Sequence, residues 1–240
     1  LLFSILFVSC SNKDNTIEEE YTPIPYSLEV PELFQQKLIA PLIPINNPLT
    51  EEGIALGKKL FFDKKLSKDN TQSCASCHNP RNSFTDSLRF SLGVDGVPGS
   101  RNSMPLFNLA WNFNDKFAWD GKELSLERQA LEPVRNPIEM HSSWSNVALR
   151  LQQDQEYPTM FLNAFGTERI DSTLVTKAIA QFERTLISGN AKFDQYLLGN
   201  TSLSQQELNG FTIFMSEDKG DCFHCHGSNN NPLWTDNDFH

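Results

Sequence analysis

The sequence predicts a mainly α-helical fold in two domains. Amphipathic helical patterns recur along the 240 residues, and no stretch alternates polar and apolar residues between hairpin turns over a strand's length. The motif Cys-x-x-Cys-His occurs twice, each time after an amphipathic segment. Because a chain of this length can form two domains of roughly 100 residues each, we expect one motif in each domain.

The first twenty residues are predicted to be the remainder of an export signal. The run LLFSILFVS is apolar but too short to cross a bilayer of roughly 30 Å, and a polar segment follows it. Cys10 ends the run in the context LFVSC, which resembles a lipoprotein box and predicts a lipid anchor there; an incidental cysteine is the alternative. Both interpretations place the protein in the periplasm or otherwise outside the cytoplasm.

The secondary structure of the later segments is predicted from prolines, helix caps and the spacing of apolar residues. Residues 21 to 50 are proline-rich, so few helices can begin there. Thr50 can cap a helix with Leu56 and Leu60 on its apolar face, and coil is expected from Asp63 to about residue 105. Further helices are expected around 125 to 132, 143 to 153 and 171 to 187, and after the capping-box pattern of Ser204 and Glu207.

The two motifs call for a chemistry that explains both cysteines and the histidine. In an exported chain such thiols have to be oxidised, bound to metal or covalently modified. A zinc site would bring two Cys-x-x-Cys pairs roughly 15 to 20 residues apart, whereas 144 residues separate Cys77 from Cys222. A thioredoxin-like dithiol gives no reason for a histidine after each pair.

Covalent attachment of haem accounts for every position of the motif. The two thiols bond to the vinyl groups, and the adjacent histidine ligates the iron. The sequence therefore predicts two haems c, with His78 and His226 as iron ligands. The attachment residues are Cys74, Cys77 and His78 for the first haem and Cys222, Cys225 and His226 for the second.

The motifs also divide the chain. We place the boundary near residues 165 to 170, which gives an N-terminal haem domain at 51 to 167 and a C-terminal one at 168 to 240. Because the chain runs only fourteen residues past His226, the second cytochrome c-like domain is expected to be truncated.

Composition narrows the class of partner. The net charge is −10, and no basic cluster interrupts it, which argues against a nucleic-acid partner. A simple electron carrier would fill the sixth position of each iron, usually with Met, and Met104 is the nearest candidate for the first haem; an enzyme would leave that position open.

Four stretches resemble the bacterial di-haem cytochrome c peroxidases and their MauG-like relatives. In order they are ALGKKLFFDKKLSKDNTQSCASCHNP, RNSMPLFN, FAWDGKELSLERQALEPVRNPIEM and CFHCHG. The resemblance implies a di-haem peroxidase that reduces hydrogen peroxide to water with electrons from a small periplasmic donor such as a cytochrome c or a cupredoxin. The alternatives are a MauG-like oxidase that modifies a partner protein and, outside the enzymes, a multihaem electron carrier.

The resemblance also implies residue roles. Trp119 would lie between the haems and help electrons cross, while Gln129 and Glu139 would line the distal side of the first haem, where Glu139 moves a proton between the peroxide oxygens. Asn102 would contribute an oxygen ligand to a calcium site between the domains, and a homodimer is one arrangement in this family. One departure is Val94, which stands where the peroxidases carry a histidine that caps the first haem.

Overall fold

The computed structural model describes residues 21 to 227 and 230 to 235, so the predicted signal segment with Cys10 lies outside the described residues. Within these ranges the chain is helical, without a β-strand, and no helix is long and apolar enough to span a membrane. The fold is therefore mainly α, as predicted. The helices are α1 (Glu32–Lys37), α2 (Glu51–Phe62), α3 (Cys74–Cys77), α4 (Leu126–Gln129), α5 (Glu132–Arg135), α6 (Trp144–Gln152), α7 (Tyr157–Phe165), α8 (Ser172–Arg184), α9 (Lys192–Leu197), α10 (Gln205–Phe214) and α11 (Phe223–His226).

The predicted helix caps are confirmed. The side chain of Thr50 accepts from the N–H of Gly53 at the start of α2, and that of Asp171 accepts from Leu174 at the start of α8. Ser204 and Glu207 form the expected capping box of α10. The helix predicted over 125 to 132 is two short ones, α4 and α5, and Pro133 lies in the first turn of α5, where its missing N–H costs nothing.

Five of the described helices were not predicted. Two are the single turns α3 and α11 at the two motifs, and α3 lies in the segment that was expected to be coil. α1 forms inside the proline-rich segment, directly after Pro31, and α9 has only six residues. α7 has no side-chain cap, but Pro158 in its first turn and Gly166 at its end, with φ 72°, are the usual signals of a helix start and stop.

The crossing of α2 and α8 is the centre of the main hydrophobic core. One hydrophobic cluster contains buried residues of both helices. They include Leu56, Leu60 and Phe61 of α2 and Ile179 and Phe182 of α8. The helices approach so closely that a β-carbon at Gly57 would overlap the carbonyl group of Ala178. α3 and its motif pack on the side of this core, since Cys74 and Ala75 contact it.

The packing bears on the domain boundary predicted near 165 to 170. The main cluster continues across that point, because Phe161 and Ala164 of α7 and Val175 and Ile179 of α8 belong to it together. The core therefore includes residues on both sides of the predicted boundary, and the division of the chain into two haem domains stays a prediction.

Candidate haem-binding and catalytic site

The first motif forms a single helical turn, α3. Its start is fixed by the N–H of Ser73, which donates to the Ser76 hydroxyl at 3.0 Å. In a helix, positions three apart lie on the same face, so the turn presents Cys74 and Cys77 side by side. His78 is the residue that ends the helix.

The imidazole of His78 is held by two main-chain carbonyl groups. Its Nδ1 lies 3.0 Å from the oxygen of Phe84 and 2.9 Å from that of Met104. Because a carbonyl oxygen can only accept, Nδ1 carries the proton and donates to both, which leaves the lone pair on Nε2. A histidine ligand with its other nitrogen fixed in this way is typical of a metal site. Burial lowers the pKa of His78, opposed by these two hydrogen bonds, and so favours the neutral ring.

The loop that supplies one of these carbonyl groups is strained. Ser83 and Phe84 have φ of 55° and 60°, a left-handed conformation that costs roughly 1 kcal/mol or more per non-glycine residue. The pair Asn79 and Thr85 closes the loop as an isolated bridge. The strained turn places the carbonyl oxygen of Phe84 against His78.

Both thiols of the first motif are free and protonated. Burial, followed by the nearby Glu183 carboxylate, raises the pKa of Cys74 to about 12. Burial, followed by Asp86 and Glu139, raises the pKa of Cys77 to about 11. Neither cysteine forms a disulfide, so both sulfurs are available for thioether bonds.

A buried polar atom beside this motif fits a bound prosthetic group. Glu183 on α8 is 3% exposed, and its Oε2 has no hydrogen-bond partner among the described residues. Its effect on the pKa of Cys74 shows that the carboxyl lies near that thiol. Buried polar groups are nearly always paired, so this oxygen points to a group bound here that is not part of the polypeptide.

Glu139 is a second carboxyl group near the motif, since its charge contributes to the raised pKa of Cys77. Its Oε1 accepts from the side-chain amide of Asn136 at 2.8 Å. Although the residue as a whole is exposed, desolvation of its carboxyl group raises its pKa, and the hydrogen bond from Asn136 opposes that effect. A carboxyl group with a raised pKa keeps its proton to a higher pH than an ordinary glutamate does, and such a group can both give and take a proton.

The loop that contains Val94 is packed directly on Glu139. The N–H of Val94 donates to the carbonyl oxygen of Glu139 at 2.8 Å. A β-carbon at Gly93 would overlap the carbonyl group of Ile138, so only glycine allows this approach. Asp95 accepts from Lys68 at 3.0 Å and pairs with Nδ1 of His141 at 2.6 Å. The main chain at Val94 is thereby fixed beside Glu139.

Trp119 and Asn102 are brought together by a direct hydrogen bond. The indole N–H of Trp119 donates to the carbonyl oxygen of Asn102 at 2.8 Å, and the Trp side chain is partly exposed. Gln129 is half-buried at the last residue of α4. The roles expected of Trp119, Gln129 and Asn102 stay predictions. Among the described residues, no group of three or more His, Cys, Asp or Glu side chains could hold a metal ion.

The second motif is more open than the first. Cys222 is half-buried, whereas Cys225 and His226 are exposed at the end of α11. His224, which stands between the two cysteines, pairs through Nδ1 with Asp221 at 2.6 Å. An aromatic cluster lies behind the motif and consists of Phe193, Phe211, Phe214 and Trp234, with Phe214 6.3 Å from the His226 ring.

Sequence reasoning missed two residues of the site, Asn136 and Glu183. Asn136 stands three residues before Glu139, a spacing that suits a side-chain contact across a tight turn. Glu183 falls on the apolar face of α8, four residues after Ile179. A charged residue on a buried face is a signal in itself, because burying a carboxylate is costly.

Comparisons with known proteins identify the family of this chain. A family model described as di-haem cytochrome c peroxidase matches residues 51–202. Methylamine utilization protein MauG of Methylorubrum extorquens is 43% identical over 82% of this chain and 54% of its own, and cytochrome c peroxidase Ccp of Escherichia coli is 37% identical over 77% and 39%. This chain therefore spans about half the length of the curated relatives it matches, or less.

A solved structure has a fold similar to that of this chain. The crystal structure of a MauG-like protein associated with microbial copper homeostasis aligns over 90% of this chain and 61% of its own, with a TM-score of 0.78 and 32% identity. The extent of the family match and the identities to both curated relatives lead to one assignment. The chain belongs to the di-haem cytochrome c peroxidase family.

Proposed function

We propose that the protein is a di-haem c-type peroxidase that reduces hydrogen peroxide to water with electrons from a small donor such as a cytochrome c or cupredoxin. The observation that supports this most is the pair of groups around the first motif. His78 presents a fixed Nε2, and Glu139 presents a carboxyl group with a raised pKa near Cys77. An axial histidine and a distal proton-transfer group are the two protein parts that peroxide cleavage requires.

The residues present fit two haems c. Cys74, Cys77 and His78 would hold the first, and Cys222, Cys225 and His226 the second. When bound, these groups supply the iron that reacts with peroxide and the iron that stores an electron. Covalent attachment and a calcium ion at Asn102 are parts of the proposal.

Glu139 is proposed as the residue that moves the proton. As a carboxylate it would take a proton from one peroxide oxygen and return it to the other, which leaves as water when the O–O bond breaks. The remaining oxygen would become a second water with two electrons from the donor and two protons from solvent. Gln129 would orient the peroxide by hydrogen bonding. Trp119, whose indole N–H is fixed on Asn102, is proposed as the aromatic group between the two haem sites.

The surroundings of Met104 argue against the electron-carrier alternative. Its carbonyl oxygen accepts from Nδ1 of His78, so its main chain lies behind the imidazole, away from Nε2. A sixth ligand has to reach the iron from the opposite face. Met104 is therefore badly placed to close the first site.

A MauG-like oxidase that modifies a partner protein is the second candidate function. Two observations favour it: the identity to the MauG relative is higher, at 43%, and Val94 stands in the loop where the peroxidases have a capping histidine. Repeated consumption of peroxide with a reduced cytochrome c as the only donor would favour the peroxidase.

The location is proposed from the sequence. Export to the periplasm fits c-type attachment and the apolar run at residues 1 to 9, and Cys10 would add a lipid anchor. A homodimer also stays a prediction.

Substitution Glu139→Gln tests the proposal. It keeps the shape of the side chain but removes the proton-carrying group, so we expect steady-state peroxide reduction to fall roughly 10²-fold or more. A pyridine-haemochrome assay should count two haems per full-length chain in wild type and variant alike. Glu156→Gln, at a surface pair with Lys59, serves as the control and should turn over normally. Unchanged turnover in Glu139→Gln would show that Glu139 is not the proton carrier.

A further inference from the structure

The segment before Glu139 is folded around a single side chain, that of Asn136. Its Oδ1 accepts from the N–H of Ile138 at 3.0 Å, and its Nδ2 donates to Oε1 of Glu139 at 2.8 Å. Its main-chain oxygen accepts from the N–H groups of Glu139 and His141, both at 3.0 Å. One residue thus controls the turn and touches the carboxylate.

Neighbouring segments hold the same turn from outside. The N–H of Val94 donates to the carbonyl oxygen of Glu139, and the N–H of Lys68 donates to that of Met140 at 2.9 Å. The main chain around Glu139 is therefore fixed. The carboxyl group has in addition its own hydrogen bond, the one from Asn136.

We propose that Asn136 is a positioning residue that orients the Glu139 carboxylate and stabilises its ionised form through the Nδ2–H to Oε1 hydrogen bond. The inference rests on the proposed function, since Glu139 is the proton carrier there. An amide has no charge and only donates at Nδ2, so it favours the carboxylate over the carboxylic acid.

The other charges around Glu139 do not outweigh the stabilisation of its carboxylate by Asn136. Desolvation raises its pKa most, Glu132 raises it further, and Lys122 lowers it, while the Cys77 thiol is neutral. On the outer side, Asp95 is neutralised by Lys68 and His141. Against this background the hydrogen bond from Asn136 is the largest contribution that favours ionisation.

The substitution Asn136→Asp isolates that hydrogen bond. A carboxylate at 136 still accepts from the N–H of Ile138, so the turn is kept, but it replaces the donor to Glu139 with a second negative charge. Like charges in contact raise a carboxyl pKa, here by roughly one pH unit or more. Asn112→Asp is the matched control, because Asn112 also accepts from the residue two ahead, Asn114, and donates Nδ2 to a loop oxygen, that of Lys116.

The measurement is made on the full-length, haem-loaded protein in two ways. Infrared spectra recorded across pH follow the carboxylic-acid band that Glu139→Gln abolishes. Steady-state peroxide reduction gives the pH at which kcat falls on the acid side. We expect Asn136→Asp to move both upward by roughly one unit, and Asn112→Asp to move neither.

The outcomes separate this inference from the proposed function. A Glu139 band that titrates as in wild type would overturn the role of Asn136. A band that moves without a change in the pH dependence of kcat would support the role of Asn136 and count against Glu139 as the proton carrier. If Asn136→Asp does not fold, Asn136→Ser replaces it. The serine hydroxyl can hold the turn but is too short to reach Oε1 of Glu139. The same upward shift of the Glu139 pKa is therefore expected, and its absence would overturn the proposal.

Discussion

Glu183 should make the stability of this protein fall as the pH rises. The side chain is buried on α8, and within the part of the chain that the structure describes its Oε2 has no hydrogen-bond partner. Burial, opposed by the Arg184 charge and reinforced by Glu127, raises its pKa from 4.5 to about 8. Since one pKa unit corresponds to 1.36 kcal/mol, ionising this carboxyl group in the fold costs about 5 kcal/mol more than in the unfolded chain.

The direction of the effect follows from proton binding. Between pH 4.5 and about 8 the folded state keeps the proton that the unfolded state has released, so the free energy of unfolding decreases as the pH rises. Stability due to this group is complete below pH 4.5 and is lost by the time the pH has passed about 8. From pH 5 to pH 9 the loss should amount to about 4 kcal/mol.

The test compares wild type with Glu183→Gln by denaturant unfolding of the haem-loaded protein at pH 5, 7 and 9. Glutamine cannot ionise, so the variant should become more stable than wild type as the pH rises, by about 4 kcal/mol between the extremes. Glu207→Gln is the control: Lys192 lowers the pKa of Glu207 to about 2, so its contribution changes only in acid. Parallel curves for wild type and Glu183→Gln would refute a neutral, buried carboxyl at this position.

Two further predictions concern the loop at Glu139. Gly93→Ala should lower peroxide turnover roughly 10²-fold at unchanged haem content, because the new β-carbon displaces the Ile138 carbonyl group and with it the proposed proton-carrying carboxyl group of Glu139. Gly99→Ala should remain near wild type, because its β-carbon would meet other residues only at 3.5 Å or more. Equal turnover of the two variants would contradict the packing argument. The all-ferric protein should react with one equivalent of peroxide without prior reduction, since Val94 has no ligand atom, and a Soret band that stays unchanged until an electron is added would show that another side chain caps the first haem.

The parts of the fold that the sequence predicts are those decided by local interactions. Thr50, Asp171 and the pair Ser204 and Glu207 cap their own helices within four residues, so their signals can be read directly from the order of the residues. α1 could not be read in this way. Its residues Leu33 and Phe34 are buried against Trp111, some 77 residues away, and this packing stabilises a helix in a proline-rich segment.

The site shows the same division. The Cys-x-x-Cys-His pattern is local, and it identifies the motif without any knowledge of the fold. The two carbonyl groups that hold His78 come from Phe84, in a left-handed turn, and Met104, 26 residues away. Main-chain acceptors have no sequence signature, because every residue has a carbonyl group. The family resemblance points to Glu139, whereas its partner Asn136 becomes evident only from the geometry of the turn.

The distribution of proton-binding groups favours a division of labour between the motifs. Reduction of hydrogen peroxide to two water molecules consumes two protons with the two electrons. Among the described residues, the carboxyl groups whose pKa is raised are Glu139 and Glu183, and they lie near Cys77 and Cys74 of the first motif. The second motif is instead bordered by an aromatic cluster, with Asp221 paired to His224. This distribution supports the proposal that protons are transferred at the first motif, while the second motif would transfer electrons.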